Sequence, residues 1–195
     1  MDISEAIERI LPAFEQYYTV NKDSKPPFCA QAEFRSHNEQ YFLVRSAHIA
    51  DIDSNEFVYF ATTPSLSKDQ LEEFVNASWQ DGLSKVKPYN GHRNSDVSLI
   101  IITKTLDTNV SFSGLTRKSM NIIELIKKTK LYKSYKWSLH GWSHFKLAVV
   151  ALETQDIFFK QFLVIFTESV EINILCFKSH NCELKMTPAV QTPFI

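Results

Sequence analysis

The densest set of residues that could do chemistry lies between positions 117 and 146, where basic and aromatic side chains are interleaved. Eight bases and one acid, Glu124, give this segment a formal charge of +7, whereas the rest of the chain carries −8. Lysines bind phosphates, and exposed aromatic rings stack nucleic-acid bases. The candidate surface for a nucleic acid or a protein partner comprises Lys127, Lys128, Lys130, Lys133, Lys136, Tyr132 and Trp142.

A purely structural interpretation of the same segment stays open. Tyr135, Trp137 and Leu139 alternate on one face of an expected strand, which predicts that they belong to the core. The lysines at 127–130 suit the C-terminal end of a helix, where positive charge interacts favourably with the helix dipole. Under this interpretation the lysines form only a solvated face.

Four acids would form a carboxylate cluster if they gathered at one end of the strand meander: Glu33, Asp51, Asp53 and Glu56. In restriction-nuclease-like domains, which share an order of helix, three strands, helix and strand, two carboxylates hold Mg²⁺ beside a lysine. The acid-x-lysine step is absent here, because Glu33 is followed at that spacing by Arg35, which does not readily lose its proton. A calcium loop starting at Asp51 also fails, because Glu56 occupies the position that requires glycine.

Two further ligand sets are incomplete. Cys176, His180 and Cys182 place three soft ligands within seven residues, but structural zinc takes four. His140 and His144 flank a tight glycine turn, which does not hold two imidazoles on one face as a helix would. We therefore expect no metal and no other cofactor, and the sequence assigns no catalytic residue.

The four glycines exclude several enzyme classes. They stand at Gly82, Gly91, Gly114 and Gly141, never closer than nine residues apart. A dinucleotide fingerprint or a P-loop requires closely spaced glycines, so neither can be present. The Gly-x-Ser-x-Gly and His-Glu-x-x-His motifs are also missing from the sequence. These exclusions favour a protein that binds rather than catalyses.

Helices and strands are expected to alternate along the chain and to position these residues. Periodicity and turn residues predict a helix at 3–18, strands at 28–35, 41–47 and 56–61, a helix opened by a capping box at Ser67, a buried strand at 97–102, a helix at 115–130 and a hairpin of strands at 132–139 and 144–152. Turns are predicted at 36–39 and 53–55. The order α-β-β-β-α-β-α-β-β indicates an α+β protein with a largely antiparallel, mixed sheet and three helices.

The apolar faces of these elements predict which side chains form the core. The residues expected to be buried together are Ile7, Leu11, Phe14, Phe34, Phe42, Phe60, Phe74, Leu99, Ile101, Trp137 and Val149. A chain of 195 residues, 44% hydrophobic, suits a single domain with a sizeable core. We expect residues 1–156 to form the α+β domain and residues 157–195 to form a β-rich extension of the same domain.

The composition also predicts a compartment. The N-terminal residues are acidic and lack a secretory pattern, and no apolar run approaches the ~20 residues that span a bilayer. Three cysteines are a sparse set, as expected of reduced cytosolic thiols. We therefore expect a soluble, cytoplasmic bacterial protein that does not enter membranes.

Several short motifs resemble a family of uncharacterised prokaryotic cytosolic domains. They are Ala32-Glu33-Phe34-Arg35, the tracts at 40–44 and 55–60, and Lys133-Ser134-Tyr135-Lys136-Trp137 leading into His140-Gly141-Trp142. The resemblance covers residues 5–155. It implies a small stand-alone protein of unknown function and supplies no catalytic residues.

Three functional hypotheses follow. The first is a non-catalytic protein-interaction module that uses its aromatic-rich sheet. The second is a weak nucleic-acid-binding module that uses the basic segment 117–146, and its binding should fall steeply with salt. The third is a degenerate nuclease-like enzyme, which would require Mg²⁺.

Overall fold

A computed structural model describes residues 1–41, 48–107 and 121–160, and the side chains of 1–36, 53–107 and 121–159. Three helices and seven strands occur within these ranges. In chain order they are α1 (Ile3–Glu15), β1 (Thr19–Asn21), β2 (Ala30–Tyr41), β3 (His48–Leu66), α2 (Lys68–Lys85), β4 (His92–Leu106), α3 (Ile122–Lys128), β5 (Tyr132–Ser134), β6 (Trp142–Ala151) and β7 (Asp156–Lys160).

All seven strands belong to one sheet in the order β1-β2-β3-β4-β6-β5, and β7 also pairs with β6. The flanking pairs are antiparallel, whereas β3 with β4 and β4 with β6 are parallel. Parallel neighbours need long crossover connections, which here contain α2 and α3. The predicted α+β class, element order and mixed sheet are confirmed, and β7 adds a strand after the predicted set.

The two longer helices begin in different ways. At α2 the predicted capping box forms, since the Ser67 side chain accepts from the Gln70 amide and the Gln70 side chain accepts from the Ser67 amide. At α1, Asp2 is the N-cap residue but makes no side-chain capping bond. Its carboxylate instead pairs with Lys104 at 3.0 Å, and hydrogen bonding to Lys104 lowers the pKa of Asp2 to about 2.

The core consists of two apolar layers, one on each face of the sheet. Helices α2 and α3 cover one face, where Phe57, Tyr59, Leu99, Ile101, Phe145, Leu147 and Val149 pack against Leu71, Phe74, Ile122 and Ile126. Helix α1 covers part of the other face, where Leu11 and Phe14 pack on Val58, Phe60, Ile100 and Ala148. Gly82 lets α2 approach β4 closely, because a Cβ there would lie 2.5 Å from a methyl carbon of Val97.

The predicted turns at 36–39 and 53–55 are wrong. Strand β2 continues to Tyr41, and β3 runs without interruption from His48 to Leu66. Residues 35–37 pair with 53–55 in the antiparallel ladder, and 53–55 also pair with β4. Ladder hydrogen bonds on both sides of β3 therefore override the local turn preference of Asp-Ser-Asn. Most of the predicted strand at 41–47 lies outside the described residues.

Most of the predicted core is buried, although it is divided between the two layers. The buried members are Leu11, Phe14, Phe60, Phe74, Leu99, Ile101 and Val149. Ile7 and Phe34 are partly buried, and Phe42 lies outside the described residues. Trp137 is 94% exposed, so its placement in the core was wrong.

The remaining predictions meet the structure only in part. Helix α3 occupies the end of the predicted helix at 115–130, whose residues 115–120 lie outside the described ranges. The predicted extension begins with β7, and residues 161–195 are not described. Within the described ranges no helix is long and apolar enough to cross a membrane.

The two layers predict where truncation destabilises the protein. Replacing Phe14 or Ile101 with alanine should lower the free energy of unfolding by about 2–5 kcal/mol, because each change leaves a cavity in one layer. Trp137→Ala is the matched control, because removing this exposed ring should lower the free energy of unfolding by less than ~0.5 kcal/mol. Urea unfolding measures all three variants, and a larger loss for Trp137→Ala than for Ile101→Ala would contradict this assignment.

Candidate functional site

On the face that α1 covers, the central strands change from apolar to polar along their length. Phe60, Ile100 and Ala148 lie in one row across β3, β4 and β6 beneath α1. Toward the N-terminal end of these strands the rows become Val58, Ser98 and Lys146, then Glu56, Asp96 and His144, then Ser54, Asn94 and Trp142. The side chains of α1 that face the sheet are apolar, so α1 packs only on the apolar rows. The rows toward the N-terminal ends of the strands form what we call the polar half of the α1 face.

A polar network joins three strands and the residues after α1; we define it as Tyr18, Glu56, Asp96, Ser98 and Lys146. The Glu56 carboxylate accepts from the Tyr18 hydroxyl at 2.9 Å, the Ser98 hydroxyl at 2.6 Å and the Lys146 ammonium at 3.2 Å. The same ammonium lies 3.0 Å from a carboxylate oxygen of Asp96. The Glu56, Asp96 and Lys146 side chains are each about 15% exposed. The network therefore holds charges largely out of water.

Burial and charge act against each other on Lys146. Burial alone would lower the pKa of the Lys146 ammonium, but attraction to Glu56 and Asp96 outweighs it and raises that pKa. Burial, reinforced by the negative charge of Glu56, raises the pKa of Tyr18 well above its ordinary value. Lys146 is therefore charged and Tyr18 is a neutral donor at neutral pH.

The two carboxylates of the network differ in their hydrogen-bond partners. The two oxygens of Glu56 already accept three hydrogen bonds. The buried atom Oδ1 of Asp96 has no hydrogen-bond partner within the described part of the chain, and we call this side of the network its open end. Nδ1 of the His144 imidazole lies 3.7 Å from that oxygen. Buried carboxylate oxygens without a hydrogen-bond partner are rare, and this one can still accept a hydrogen bond.

Two of the acids that the sequence grouped together, Glu33 and Glu56, lie on opposite faces of the sheet. Glu33 pairs with Phe57 and Phe34 pairs with Glu56, so Glu33 and Glu56 point to opposite faces of the sheet. The side chain of Asp51 lies outside the described ones. Among the residues that the structure describes, no group of three or more histidine, cysteine or acidic side chains lies close enough to hold a metal ion.

A tight turn separates β5 from β6 and carries the most exposed apolar side chains. Strand β5 ends at Ser134, and Lys136, Trp137 and Ser138 have φ of 46°, 56° and 66°. Trp137 is 94% exposed and Leu139 is 69% exposed. The predicted strand at 132–139 was therefore wrong beyond 134, because three consecutive left-handed residues cannot continue a strand.

Side chains on neighbouring strands hold this turn in place. The Nδ1–H of buried His92 donates to the carbonyl oxygen of His140 at 2.7 Å, since a carbonyl only accepts. Its Nε2 is 2.8 Å from the Ser95 hydroxyl. Tyr135 bonds the Ser143 hydroxyl at 2.9 Å. Gly141 has φ +79°, and a Cβ there would lie only 2.3 Å from a backbone oxygen, so glycine is required.

The five candidate lysines are all exposed. Lys127 and Lys128 lie in the last turn of α3, Lys130 follows the helix, Lys133 is on β5 and Lys136 is in the turn. With Tyr132, half exposed, and Trp137 they form what we call the basic corner. The sequence singled out these residues except for Trp137, which its alternation had assigned to the core.

Tyr132 and Trp142 share the polar half of the α1 face. Tyr132 pairs with His144 across β5 and β6, and their rings are 5.1 Å apart. The Trp142 ring lies 6.5 Å from His144 on the same strand. Lys133 points to the other face, where its ammonium lies 5.5 Å from the Tyr135 ring. The candidate surface therefore wraps around an edge of the sheet.

Within the described residues, the structure does not bring together the cysteine and histidine sets that the sequence considered as metal ligands. Cys176, His180 and Cys182 lie outside the described residues. The His92 ring contacts Ser95 and the carbonyl of His140, whereas the His144 ring faces Asp96, so these two imidazoles do not share a ligand site. The lysine that does stand beside two carboxylates is Lys146, which is 90 residues from Glu56 in sequence and gave no local signal.

Comparison with known proteins gives one match. A family model described as "Domain of unknown function (DUF8052)" matches residues 2–162. No curated protein and no solved structure matches the chain.

The polar network predicts a large effect of removing its cation. Lys146→Met should lower the free energy of unfolding by about 3–5 kcal/mol, because Glu56 and Asp96 would remain buried without a counter-charge. Adding Glu56→Gln and Asp96→Asn to Lys146→Met should restore part of the loss. Chemical denaturation measures both variants, and equal losses for the single and triple variants would contradict the assignment.

The raised pKa values predict a loss of stability at high pH. Tyrosine and lysine in an unfolded chain release protons near pH 10. The folded protein holds the protons of Tyr18 and Lys146 to higher pH, so the unfolded state binds fewer protons and stability falls as pH rises above about 10. Tyr18→Phe should reduce this slope in urea unfolding between about pH 8 and 11. An unchanged slope would show that Tyr18 is not held neutral by the network.

Proposed function

The chain belongs to the DUF8052 family, domains of unknown function, and we propose that it is a binding module whose basic corner binds single-stranded nucleic acid. The observation that carries this proposal is the position of Trp137, 94% exposed on a turn flanked by exposed lysines. We place this binding in the bacterial cytoplasm, which the sparse cysteines support.

The exposed ring of Trp137 supports stacking. Tryptophan is highly buried on average, so a ring that is 94% exposed beside lysines leaves its whole face available for stacking. Lys136, Trp137 and Ser138 are all left-handed, which is unfavourable for residues other than glycine. The hydrogen bond from His92 and the close approach at Gly141 hold the backbone of the turn that carries this ring. Stacking on an exposed aromatic ring contributes about 1–3 kcal/mol per base.

Charge supports the same partner. The lysines of the basic corner lie in a segment of formal charge +7, whereas the rest of the chain carries −8. A polyanion is attracted to this corner and repelled elsewhere, which orients its approach. Lysines at the end of α3, on β5 and in the turn lie on both sides of the sheet edge. This placement suits a flexible single strand, which can bend around an edge.

The polar half of the α1 face supplies further contacts beside the corner. Tyr132 and Trp142 flank His144 there, and Ser54 and Asn94 lie in the row of Trp142, joined by a 2.9 Å hydrogen bond. Aromatic rings and short polar side chains on an open sheet can contact bases without strong sequence preference. We therefore expect weak, largely sequence-independent binding.

A protein partner is the second candidate, and Leu139 is the observation that favours it. Leu139 is 69% exposed two residues from Trp137, and an aliphatic side chain has little to contact on a nucleic acid. Tryptophan is enriched among the residues that dominate protein interfaces. The aromatic side chains of β3 and β6 favour this candidate less, because Phe57, Tyr59 and Phe145 are buried beneath α2 and α3.

Fluorescence anisotropy with a labelled single strand tests the proposal. Four or five phosphate contacts should give a log–log slope of affinity against salt of about −3 to −4. Trp137→Ala should weaken binding by about 5- to 150-fold, the equivalent of ~1–3 kcal/mol of stacking. Replacing Lys127, Lys128 and Lys130 with glutamate should abolish binding at moderate salt.

The matched control replaces Lys25, Lys68 and Lys87 with glutamate, the same charge change at exposed lysines outside the basic corner. This control should retain most of the binding. Equal binding by the two triple variants would refute a defined corner. No binding by the wild type at 50 mM salt would refute the nucleic-acid proposal and favour the protein partner, for which Leu139→Ala is the discriminating variant.

A further inference from the structure

His144 stands at the open end of the polar network. Its Nδ1 is 3.7 Å from Asp96 Oδ1, and its ring lies 5.1 Å from Tyr132 and 6.5 Å from Trp142. The side chain is 35% exposed, so it is accessible from the polar half of the α1 face. When Nδ1 faces a carboxylate, Nε2 lies on the opposite side of the imidazole. Nε2 is therefore the atom available to a bound molecule.

Asp96 is held so that it can orient this imidazole. Its Oδ2 is fixed by the Lys146 ammonium at 3.0 Å, while Oδ1 is buried and, within the described part of the chain, has no hydrogen-bond partner. An oriented carboxylate keeps the proton of a histidine on Nδ1 and stabilises the imidazolium once it forms. Distances between such partners are often long without substrate and shorten when substrate binds.

We propose that His144 is a general base that cleaves RNA bound at the basic corner, with Asp96 as its positioning residue. This inference rests on the proposed function, because the corner must first bring the strand to the polar half of the α1 face. Tyr132 connects the two regions, since it belongs to the basic corner and also contacts the ring of His144. The reaction class is transesterification of a phosphodiester.

The chemistry uses only the RNA, water and the imidazole. His144 Nε2 takes the proton of a ribose 2′-hydroxyl, and the 2′-oxygen forms a bond to the adjacent phosphorus. The bond from phosphorus to the 5′-oxygen breaks, and that oxygen takes a proton from water. The resulting hydroxide is neutralised when the imidazolium returns its proton. The products are a 2′,3′-cyclic phosphate end and a 5′-hydroxyl end, with no change of oxidation state.

Asp96 faces His144 from β4, while Tyr132 on β5 and Lys146 on the same strand as His144 also surround it. A positioning role for Asp96 predicts that loss of its carboxylate slows the chemical step while binding of the strand is retained.

Two measurements on the full chain separate binding from cleavage. Anisotropy with a 2′-O-methyl RNA strand measures binding, because this strand cannot react. Single-turnover cleavage of the matching labelled RNA at saturating protein, in the presence of EDTA, measures the chemical step. The wild type should produce the cyclic phosphate, and His144→Asn should lower the single-turnover rate by about 10²- to 10⁴-fold. Asp96→Asn should lower the single-turnover rate but leave the affinity for the 2′-O-methyl strand nearly unchanged, as expected of a residue that positions the imidazole.

The outcomes of these measurements distinguish the inference from the proposed function. Binding of the 2′-O-methyl strand without cleavage of RNA overturns this inference and leaves the proposed function intact. Absence of binding overturns both. Equal cleavage by wild type and His144→Asn, purified in parallel, also overturns it, because the activity then comes from another residue or from a contaminant. Circular dichroism of each variant establishes that a slow rate is not unfolding, and Lys87→Ala, at an exposed lysine outside both the basic corner and the polar half of the α1 face, provides a folded variant for comparison.

Discussion

Lys146 lies between two carboxylates from two other strands, and this arrangement constrains the whole middle of the sheet. The ammonium on β6 contacts Asp96 on β4 and Glu56 on β3, and Tyr18 ties Glu56 to the chain that follows α1. Each charge depends on the others, because an unpaired charge in a largely buried site is strongly unfavourable. A one-residue slip of any of these strands would move its charged residue to the opposite face. The network therefore fixes the register of the parallel strands.

The same constraint divides the α1 face into two halves. Apolar side chains under α1 end at Val58, Ile100 and Ala148, and the charged rows begin immediately beyond them. A second apolar helix could not cover this half without leaving polar groups unpaired. The other face carries an apolar layer under α2 and α3, and its polar side chains at the same end, Asn55, Ser95 and Ser143, are paired by neutral hydrogen bonds rather than by charges. Both proposals therefore concern the N-terminal ends of the central strands, where the sheet is polar.

The turn before β6 shows how local strain is compensated by tertiary contacts. Three successive left-handed residues cost about 1–2 kcal/mol each. The hydrogen bond from His92 to the carbonyl of His140 and the close approach permitted by Gly141 offset that cost. The result is a turn that leaves Trp137 94% exposed, and a His92 imidazole whose two ring nitrogens both have hydrogen-bond partners. His144, four residues beyond His140, instead faces a carboxylate oxygen of Asp96 that has no hydrogen-bond partner among the described residues.

Local patterns in the sequence determined the elements that depend on neighbouring residues. The capping box at Ser67 and the buried strand around Leu99 follow from short-range spacing, and both are present. The α+β class and the element order follow from the succession of such segments. The exposed lysines at the end of α3 were also predictable, because charge and helix ends are local properties.

Only the tertiary structure decided which distant side chains meet. Glu56 and Lys146 are 90 residues apart, and nothing in either local segment indicates that parallel pairing through β4 brings them together. Alternation along 132–139 assigned Trp137 to the core, because periodicity assumes that a strand continues, whereas the contacts of His92 bend the chain into a turn. Local sequence sets local backbone preference and polarity, while ladder pairing and burial, which depend on the whole chain, set register, face and exposure.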